Sequence, residues 1–270
     1  MGEMIYKPLI DDMVWSYSRV EIFEDCPYRW FLTYIHSPKL EKERKFYAEY
    51  GLFMHEILEM FYRGDIDKHQ ALIKYFTEYK ERTDVGGRPN EKTLYKYFQV
   101  GKEYIQGLEM LPFEMVDVEK RINFDINGIK FVGVIDYLGK TEDGEFVIVD
   151  NKSRDLKPRS KRKTPTAKDK ELDIMLRQLY IYAHAVKQVY GVFPKYLCFN
   201  CFKNGNFIKE EFDEEAYKEV IDWITCTLKD ISEVDDFYPN REFFQCYYLC
   251  GMNEHCEYDQ DARKNYGSRE

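Results

Sequence analysis

The residues of this chain whose types and spacing best suit metal-dependent chemistry are two aspartates and a lysine. Asp136 lies in one predicted strand, and Asp150 and Lys152 lie in the next strand along the chain. A three-residue loop with Gly144 in the left-handed conformation joins the two strands, and its register places Asp136 directly opposite Asp150. Opposed residues share one face of a sheet with their Cβ atoms about 5 Å apart, and alternation puts Lys152 on that same face.

Two carboxylates this close repel each other unless a cation lies between them. A hard divalent ion meets that need, because Mg²⁺ commonly binds one or two carboxylates together with substrate phosphate. The alternative is a solvated strand face that carries a local Asp–Lys ion pair. The neighbours on this face are apolar, however: Val134, Leu138, Phe146 and Ile148. Acids and a lysine among such residues are costly without a role, so the pattern favours a metal site.

The elements that must position these residues follow from the apolar periodicity of the chain. Two short helices are expected near Ser16 and Pro27, and longer helices over residues 46–62, 67–82, 90–111, 172–190 and 214–231. The expected strands cover residues 116–126, 129–139, 145–153, 195–203 and 207–212, with Asn-Gly turns inside the first and last hairpins. This order indicates an α/β fold, in which a central mixed β-sheet is flanked by helices and follows an N-terminal helical region.

Composition excludes several classes of protein. The 270 residues, of which 44% are hydrophobic and 33% charged, suit a large folded domain and argue against a disordered chain. No apolar run reaches the roughly 18 residues that a membrane span needs, and the N-terminus lacks the pattern of a secretory signal. Seven cysteines are too few for a disulfide scaffold. We therefore expect a cytoplasmic protein with no membrane association.

The acidic residues and lysine belong to a longer series of motifs. Asp136 with Asp150-Asn151-Lys152 resembles the signature of the PD-(D/E)XK nuclease superfamily, and three further matches resemble its RecB-like branch. Gly51, His55 and Glu56 form a G-x-x-x-H-E pattern, and Gln178 and Tyr182 belong to a Q-L-x-x-Y pattern. Cys26 begins a C-P-Y sequence. The ordered motifs span nearly the whole chain.

This resemblance implies a restriction-endonuclease-like sheet and a defined division of the chain. We expect an N-terminal helical region over residues 1–112, a nuclease core over 113–235, and a cysteine-rich tail over 236–270 that packs back on the N-terminal region. The first region carries His55, which in isolation would more often be an ordinary core or surface histidine.

The resemblance also assigns roles to the site residues. Mg²⁺ or Mn²⁺ would be held by His55, Asp136, Asp150 and the backbone carbonyl of Asn151. Lys152 would stabilise charge in the transition state. Gln178 and Tyr182, one helical turn apart, would lie near the active site and contact DNA or order the attacking water.

The function implied is hydrolysis of phosphodiester bonds by a metal-dependent DNA exonuclease. It would act on DNA ends or single strands in phage or mobile-element recombination or in DNA repair, alone, as a homo-oligomer, or with a recombination or CRISPR partner protein. The alternative is a non-catalytic DNA-binding or CRISPR-adaptation assembly module with a structural iron–sulfur cluster. RNA or nucleotide hydrolysis by the same metal chemistry is a third reading.

Three cysteines are grouped near the C-terminus: Cys246, Cys250 and Cys256. Together with Cys26 they resemble the ligands of a [4Fe–4S] cluster in RecB-like proteins, which would join the two ends of the chain. Zinc is an alternative occupant, since it accepts four cysteines or three cysteines and a histidine such as His255. Free buried thiols are the remaining alternative. Cys198 and Cys201 lie on one predicted strand and are expected to be packing residues on opposite faces.

A basic segment follows the predicted metal-binding strand directly. Although the formal net charge is −9, residues 152–170 contain nine lysines and arginines against two aspartates. The positions expected to contact the DNA backbone are Arg154, Lys157, Arg159, Lys161, Arg162 and Lys163. The alternative is a solvated flexible loop; the location beside the proposed metal favours DNA contact.

Overall fold

A single five-stranded sheet organises the chain. The computed structural model describes residues 5–36 and 40–258, so the outer parts of the predicted first and last regions, residues 1–4 and 259–270, lie outside the described residues. The strands lie in the order β1 (Glu114–Ile126), β2 (Ile129–Lys140), β3 (Phe146–Lys152), β4 (Tyr196–Cys201) and β5 (Asn206–Glu211). All neighbours are antiparallel except β3 and β4, which are parallel, so the predicted mixed sheet is confirmed.

Eight α-helices in the described residues surround this sheet. They are α1 (Lys7–Asp11), α2 (Tyr17–Asp25), α3 (Pro27–Phe31), α4 (Phe46–Arg63), α5 (Lys68–Thr83), α6 (Glu91–Gln106), α7 (Ala167–Tyr190) and α8 (Glu214–Ser232). Shorter helical turns cover Leu32–His36, Gln245–Leu249 and Asn253–His255. Among these described helices, none combines the length and the apolar character that crossing a membrane requires. Helices therefore precede and follow the strands, as the sequence predicts.

Tight turns set the register of the three strands that carry the acidic residues. Asn127 and Gly128, with φ of 51° and 84°, form the predicted two-residue turn between β1 and β2. Between β2 and β3, Gly144 has φ +81°, and the Thr141 N–H donates to the Glu145 carbonyl at 2.9 Å. The pairing Tyr137 with Val149 then confirms the predicted register, because Asp136 and Asp150 are the next residues along these strands.

The two faces of the sheet pack against different sets of helices. On one face Leu138 and Ile148 join a core built with α7 and α8, whereas on the other face Tyr137 and Val149 join a core built with α4 to α6. Cys198 lies in the second core and Cys201 in the first, and both are buried, which confirms their prediction as packing residues on opposite faces.

Two helix boundaries differ from the predicted ones for local reasons. Helix α7 begins five residues before the predicted Leu172, because Thr166 and Asp169 form a reciprocal capping box. Helix α6 ends at Gln106, although apolar residues continue to Leu111, with Gly107 as the cap whose N–H bonds to carbonyls of the last turn.

Replacement of Gly101 tests the packing of the helical layer. A Cβ at Gly101 in α6 would lie 2.3 Å from the Tyr75 hydroxyl and 2.8 Å from the Tyr50 hydroxyl. Both tyrosines are buried, so Gly101→Ala is expected to lower the free energy of unfolding by about 1–3 kcal/mol, despite the better helix propensity of alanine. Urea denaturation measures this effect. Gly107→Ala is the control, because its Cβ would make only ordinary contacts at 3.7 Å; equal stability of the two variants would contradict the packing.

Candidate active site

Four elements bring polar side chains to one end of the sheet. Asp136 comes from β2, Asp150 and Lys152 from β3, His55 from α4, and Gln178 from α7. Both aspartates are buried, with 8% and 3% of their surfaces exposed. The predicted residues from these four elements therefore converge, and the charged groups among them are largely withdrawn from water.

Asp136 is the centre of this arrangement. Its Oδ2 accepts a hydrogen bond from the Asn151 N–H at 2.7 Å and lies 3.4 Å from Nδ1 of His55. Burial, and next the charge of Asp150, raise the pKa of Asp136 well above its ordinary value of 3.8. Burial also lowers the pKa of His55, which favours the neutral imidazole whose free nitrogen a metal ion requires.

Lys152 is held between β3 and α7 by a short chain of polar contacts. Its Nζ lies 2.8 Å from Oδ2 of Asp150 and donates to Oε1 of Gln178 at 2.7 Å. Nε2 of Gln178 in turn donates to the Tyr182 hydroxyl at 3.0 Å. The Tyr182 ring lies over Gly133, where a Cβ would approach it to 2.8 Å. Gln178 and Tyr182 therefore fix the ammonium group beside the carboxylates.

Glu119 is a site residue that the sequence analysis missed. It lies on β1, and His55, Glu119 and Asp136 bring ligand atoms within 4.8 Å of one another. Its φ of 52° is in the left-handed region, which a non-glycine residue adopts at an energetic cost. Burial, and next the charge of Asp136, raise the pKa of Glu119 to about 7.

The signal for Glu119 was present in the sequence. The Asn127-Gly128 turn pairs Ile126 with Ile129, and the same register carried back along β1 brings Glu119 opposite Asp136. The turn between β1 and β2 therefore relates Glu119 to Asp136 in the same way as the loop between β2 and β3 relates Asp136 to Asp150.

The donor set fits a divalent ion. An imidazole nitrogen and carboxylate oxygens from separate elements are suitable ligands for Mn²⁺ or, with fewer protein contacts, Mg²⁺. In addition, Oδ2 of Asp150 is buried and, although close to Lys152, makes no well-formed hydrogen bond with any described residue. Two buried carboxylates with a third, half-buried one beside them are compatible with folding only when protons or cations balance their charge.

The four cysteines expected to share a ligand line one cavity of about 680 Å³. Cys26 lies at the junction of α2 and α3, where its Sγ accepts from the Arg29 N–H at 3.4 Å, and Cys246, Cys250 and Cys256 come from the segment after α8. Cys26 and Cys250 are buried, and the other two are half-buried. The structure therefore brings the α2–α3 junction and the segment after α8 to this cavity. Cys226 lies elsewhere, exposed on α8.

The basic segment joins β3 to α7 and is exposed at all six positions expected to contact DNA. Arg159 donates to Asp173 at 2.7 Å and to Glu210 at 3.0 Å, so it ties the segment to α7 and β5. Lys157 lies 2.9 Å from Asp155, and Arg154 lies 3.8 Å from Glu21. Within the described ranges no ion pair is found for Lys161, Arg162 or Lys163.

Comparisons with known proteins agree with this geometry. Residues 14–260 match the family model described as PD-(D/E)XK nuclease superfamily. The crystal structure of a "putative exonuclease" from Eubacterium rectale aligns with a TM-score of 0.51 at 11% identity, covering 94% of this chain and 92% of that one. A second structure, of a protein named SSO0001, covers 77% of this chain and 95% of its own at 15% identity with a TM-score of 0.31.

The raised pKa of Glu119 predicts a pH-dependent stability of the metal-free protein. The pKa rises from an ordinary value of 4.5 to about 7 in the folded state, so ionisation costs stability as pH increases through this interval. Between pH 5 and pH 8 in EDTA, the midpoint of thermal unfolding should therefore fall less in Glu119→Gln than in the wild type. Circular dichroism measures the midpoints, and Glu109→Gln, at an exposed position, is the control. An unchanged pH response in Glu119→Gln would contradict the burial of this charge.

Proposed function

The chain belongs to the PD-(D/E)XK nuclease superfamily, and we propose that it is a RecB-like, metal-dependent DNA exonuclease that hydrolyses phosphodiester bonds at DNA ends or in single strands. The observation that carries the proposal is the convergence of His55, Asp136, Asp150 and Lys152 at one end of the sheet. An inactive module has no need for two buried acids, a neutral imidazole and a fixed ammonium in one place.

The ligands of the proposed metal site come from α4, β2 and β3. His55, Asp136, Asp150 and the Asn151 carbonyl would hold Mg²⁺ or Mn²⁺, and Glu119 is an additional carboxylate within reach of the first two. When bound, the ion supplies an acidic water ligand and polarises the phosphoryl oxygen. The neutral imidazole of His55 and the ionised carboxylates are the protonation states that metal binding requires.

Lys152 contributes the positive charge that the reaction needs beside the metal ligands. Its ammonium, fixed by Asp150 and Gln178, can neutralise the charge that develops on the phosphate oxygens during attack by water. Because Gln178 is itself held by Tyr182, the ammonium does not have to be reoriented when substrate arrives.

The proposed substrate is DNA, and the basic segment is the proposed backbone contact. It leaves β3 immediately after Lys152, and its exposed lysines and arginines lie along the way to α7. Lys161, Arg162 and Lys163 are the best placed for phosphate contact, whereas Arg154, Lys157 and Arg159 would have to exchange carboxylate partners for phosphates. The name of the Eubacterium rectale neighbour agrees with exonuclease activity.

We also propose that Cys26, Cys246, Cys250 and Cys256 bind a [4Fe–4S] cluster, with zinc as the alternative. The support is that all four thiols line one cavity although Cys26 is more than 200 residues away from the others in sequence. Four thiolates suit either occupant. Such a bond would hold the C-terminal segment against the N-terminal helices, because it closes a long loop of the unfolded chain.

Substitutions in the active site test the nuclease proposal. With end-labelled single-stranded DNA and Mn²⁺, we expect the wild type to release labelled products and EDTA to stop the reaction. Asp150→Asn should remove cleavage, because it removes a metal-binding charge. Lys152→Ala should retain Mn²⁺ binding but lower turnover by at least about 10²-fold. Lys130→Ala, an exposed lysine on β2, is the matched control.

The substrates distinguish the alternatives in the same assay. Wild-type cleavage by Asp150→Asn would contradict the catalytic assignment. Binding of DNA without cleavage of single-stranded DNA, duplex DNA or RNA would favour the non-catalytic module, and cleavage of RNA alone would redirect the proposal to RNA.

Metal analysis tests the cysteine site separately. Protein purified without oxygen is expected to contain about four irons per chain and to absorb visible light. Cys250→Ala should lose both signals and unfold at a lower temperature, whereas Cys226→Ala, at the exposed cysteine of α8, should keep them. Stoichiometric zinc without iron would support the alternative occupant, and iron retained in Cys250→Ala would exclude this ligand set.

A further inference from the structure

Asn151 of the Asp150-Asn151-Lys152 motif belongs to a buried cluster of amides and hydroxyls whose other members lie outside the motifs found in the sequence. Asn200 on β4 is the parallel neighbour of Asn151 on β3, and the two are 6% and 4% exposed. Nδ2 of Asn200 donates to Oδ1 of Asn151 at 2.8 Å. Buried amides are costly unless they are hydrogen-bonded, so a polar residue at Asn200 needs a reason beyond filling space between strands.

The reason lies in what Asn151 does for Asp136. Its N–H donates to Oδ2 of Asp136 at 2.7 Å, and its backbone carbonyl is one of the proposed metal ligands. Because Nδ2 of Asn200 holds the Asn151 side chain, the position of Asn151, and with it the donor to Asp136, depends on Asn200.

Asn200 is itself held from the helical layer. The Tyr104 hydroxyl on α6 lies 2.9 Å from Oδ1 and 2.7 Å from Nδ2 of Asn200, and the Tyr62 hydroxyl on α4 lies 3.3 Å from Nδ2. Burial raises the pKa of both tyrosines, so both remain neutral hydroxyls. Tyr62 lies on the same helix as His55, two turns further along. Through Tyr62, Asn200 and Asn151, the cluster therefore connects helix α4, which carries His55, to strand β3, which carries Asp150.

We infer that Asn200, supported by Tyr104, is a positioning residue for the metal site: it holds Asn151 in place and thereby orients the Asp136 carboxylate that accepts from the Asn151 N–H, without contacting the ion. The inference rests on the proposed metal-dependent function. It predicts a specific defect, since a misaligned carboxylate weakens metal binding, whereas a purely structural defect lowers stability.

Asn200→Asp tests this inference with little change in shape. The substitution replaces the donor to Oδ1 of Asn151 by an acceptor, so this hydrogen bond is lost and Asn151 is expected to shift together with the N–H that holds Asp136. The dissociation constant for Mn²⁺, measured on metal-free protein without DNA by electron paramagnetic resonance, should rise about 10–100-fold. Cleavage should need correspondingly more Mn²⁺ and recover most of its maximal rate at saturation.

Two further variants keep the test decisive. Tyr104→Phe removes one hydroxyl from the cluster and should weaken Mn²⁺ binding less than Asn200→Asp. Asn206 on β5 is the control residue, and its side-chain amide donates to the Leu156 carbonyl at 2.9 Å. Asn206→Asp should leave the Mn²⁺ affinity at the wild-type value. Thermal unfolding of all three reports their stability. If Asn200→Asp does not fold, Tyr104→Phe decides alone.

The outcomes separate this inference from the proposed function. Weaker Mn²⁺ binding by Asn200→Asp or Tyr104→Phe, without the same effect in Asn206→Asp, supports the inference. Wild-type affinity in the folded cluster variants overturns it. A wild type that binds Mn²⁺ without cleaving nucleic acid would overturn the nuclease proposal. The Mn²⁺ dissociation constants of the variants would still decide the positioning inference. A wild type that binds no Mn²⁺ would overturn both.

Discussion

The site depends on the repulsion among three carboxylates that the sheet holds close together, two of them buried and one half-buried. Asp136, Asp150 and Glu119 come from three consecutive strands, and burial together with their mutual charge favours the protonated forms of Asp136 and Glu119. Lys152 supplies one positive charge beside these carboxylates, and the neutral His55 supplies none. Ionisation of all three carboxylates therefore needs further positive charge, which a divalent cation would supply.

Much of the fold was predictable because short turns determine register by local rules. The Asn127-Gly128 turn and the loop with Gly144 each fix a hairpin, and each residue of the strands then has only one partner. This is why Asp136 and Asp150 could be paired from the sequence alone. The start of α7 was harder to predict, because the first turn of this helix is stabilised by a capping box between Thr166 and Asp169. The spacing of apolar residues carries no information about such polar caps.

The rest of the site needed contacts between distant parts of the chain. Asn200 lies across a parallel pairing, and no turn rule relates β3 to β4, since a long helical connection separates them. Tyr104 belongs to a layer whose packing on the sheet the sequence does not specify. Similarly, the C-terminal segment docks through the Glu43 N–H and the Gly251 carbonyl, 2.8 Å apart, a contact with no sequence signature.

The single parallel pairing has a consequence for how the molecule acquires its site during folding. Strands β1 to β3 form a meander of local contacts that can assemble early, whereas β4 joins only after the α7 crossover has packed. A nascent chain that has emerged only as far as β3 already contains His55, the three acids and Lys152, yet lacks Asn200. If Asn200 positions the metal site as proposed, tight metal binding would be completed only when the crossover closes, and bound metal ions would then favour the finished topology over its precursors.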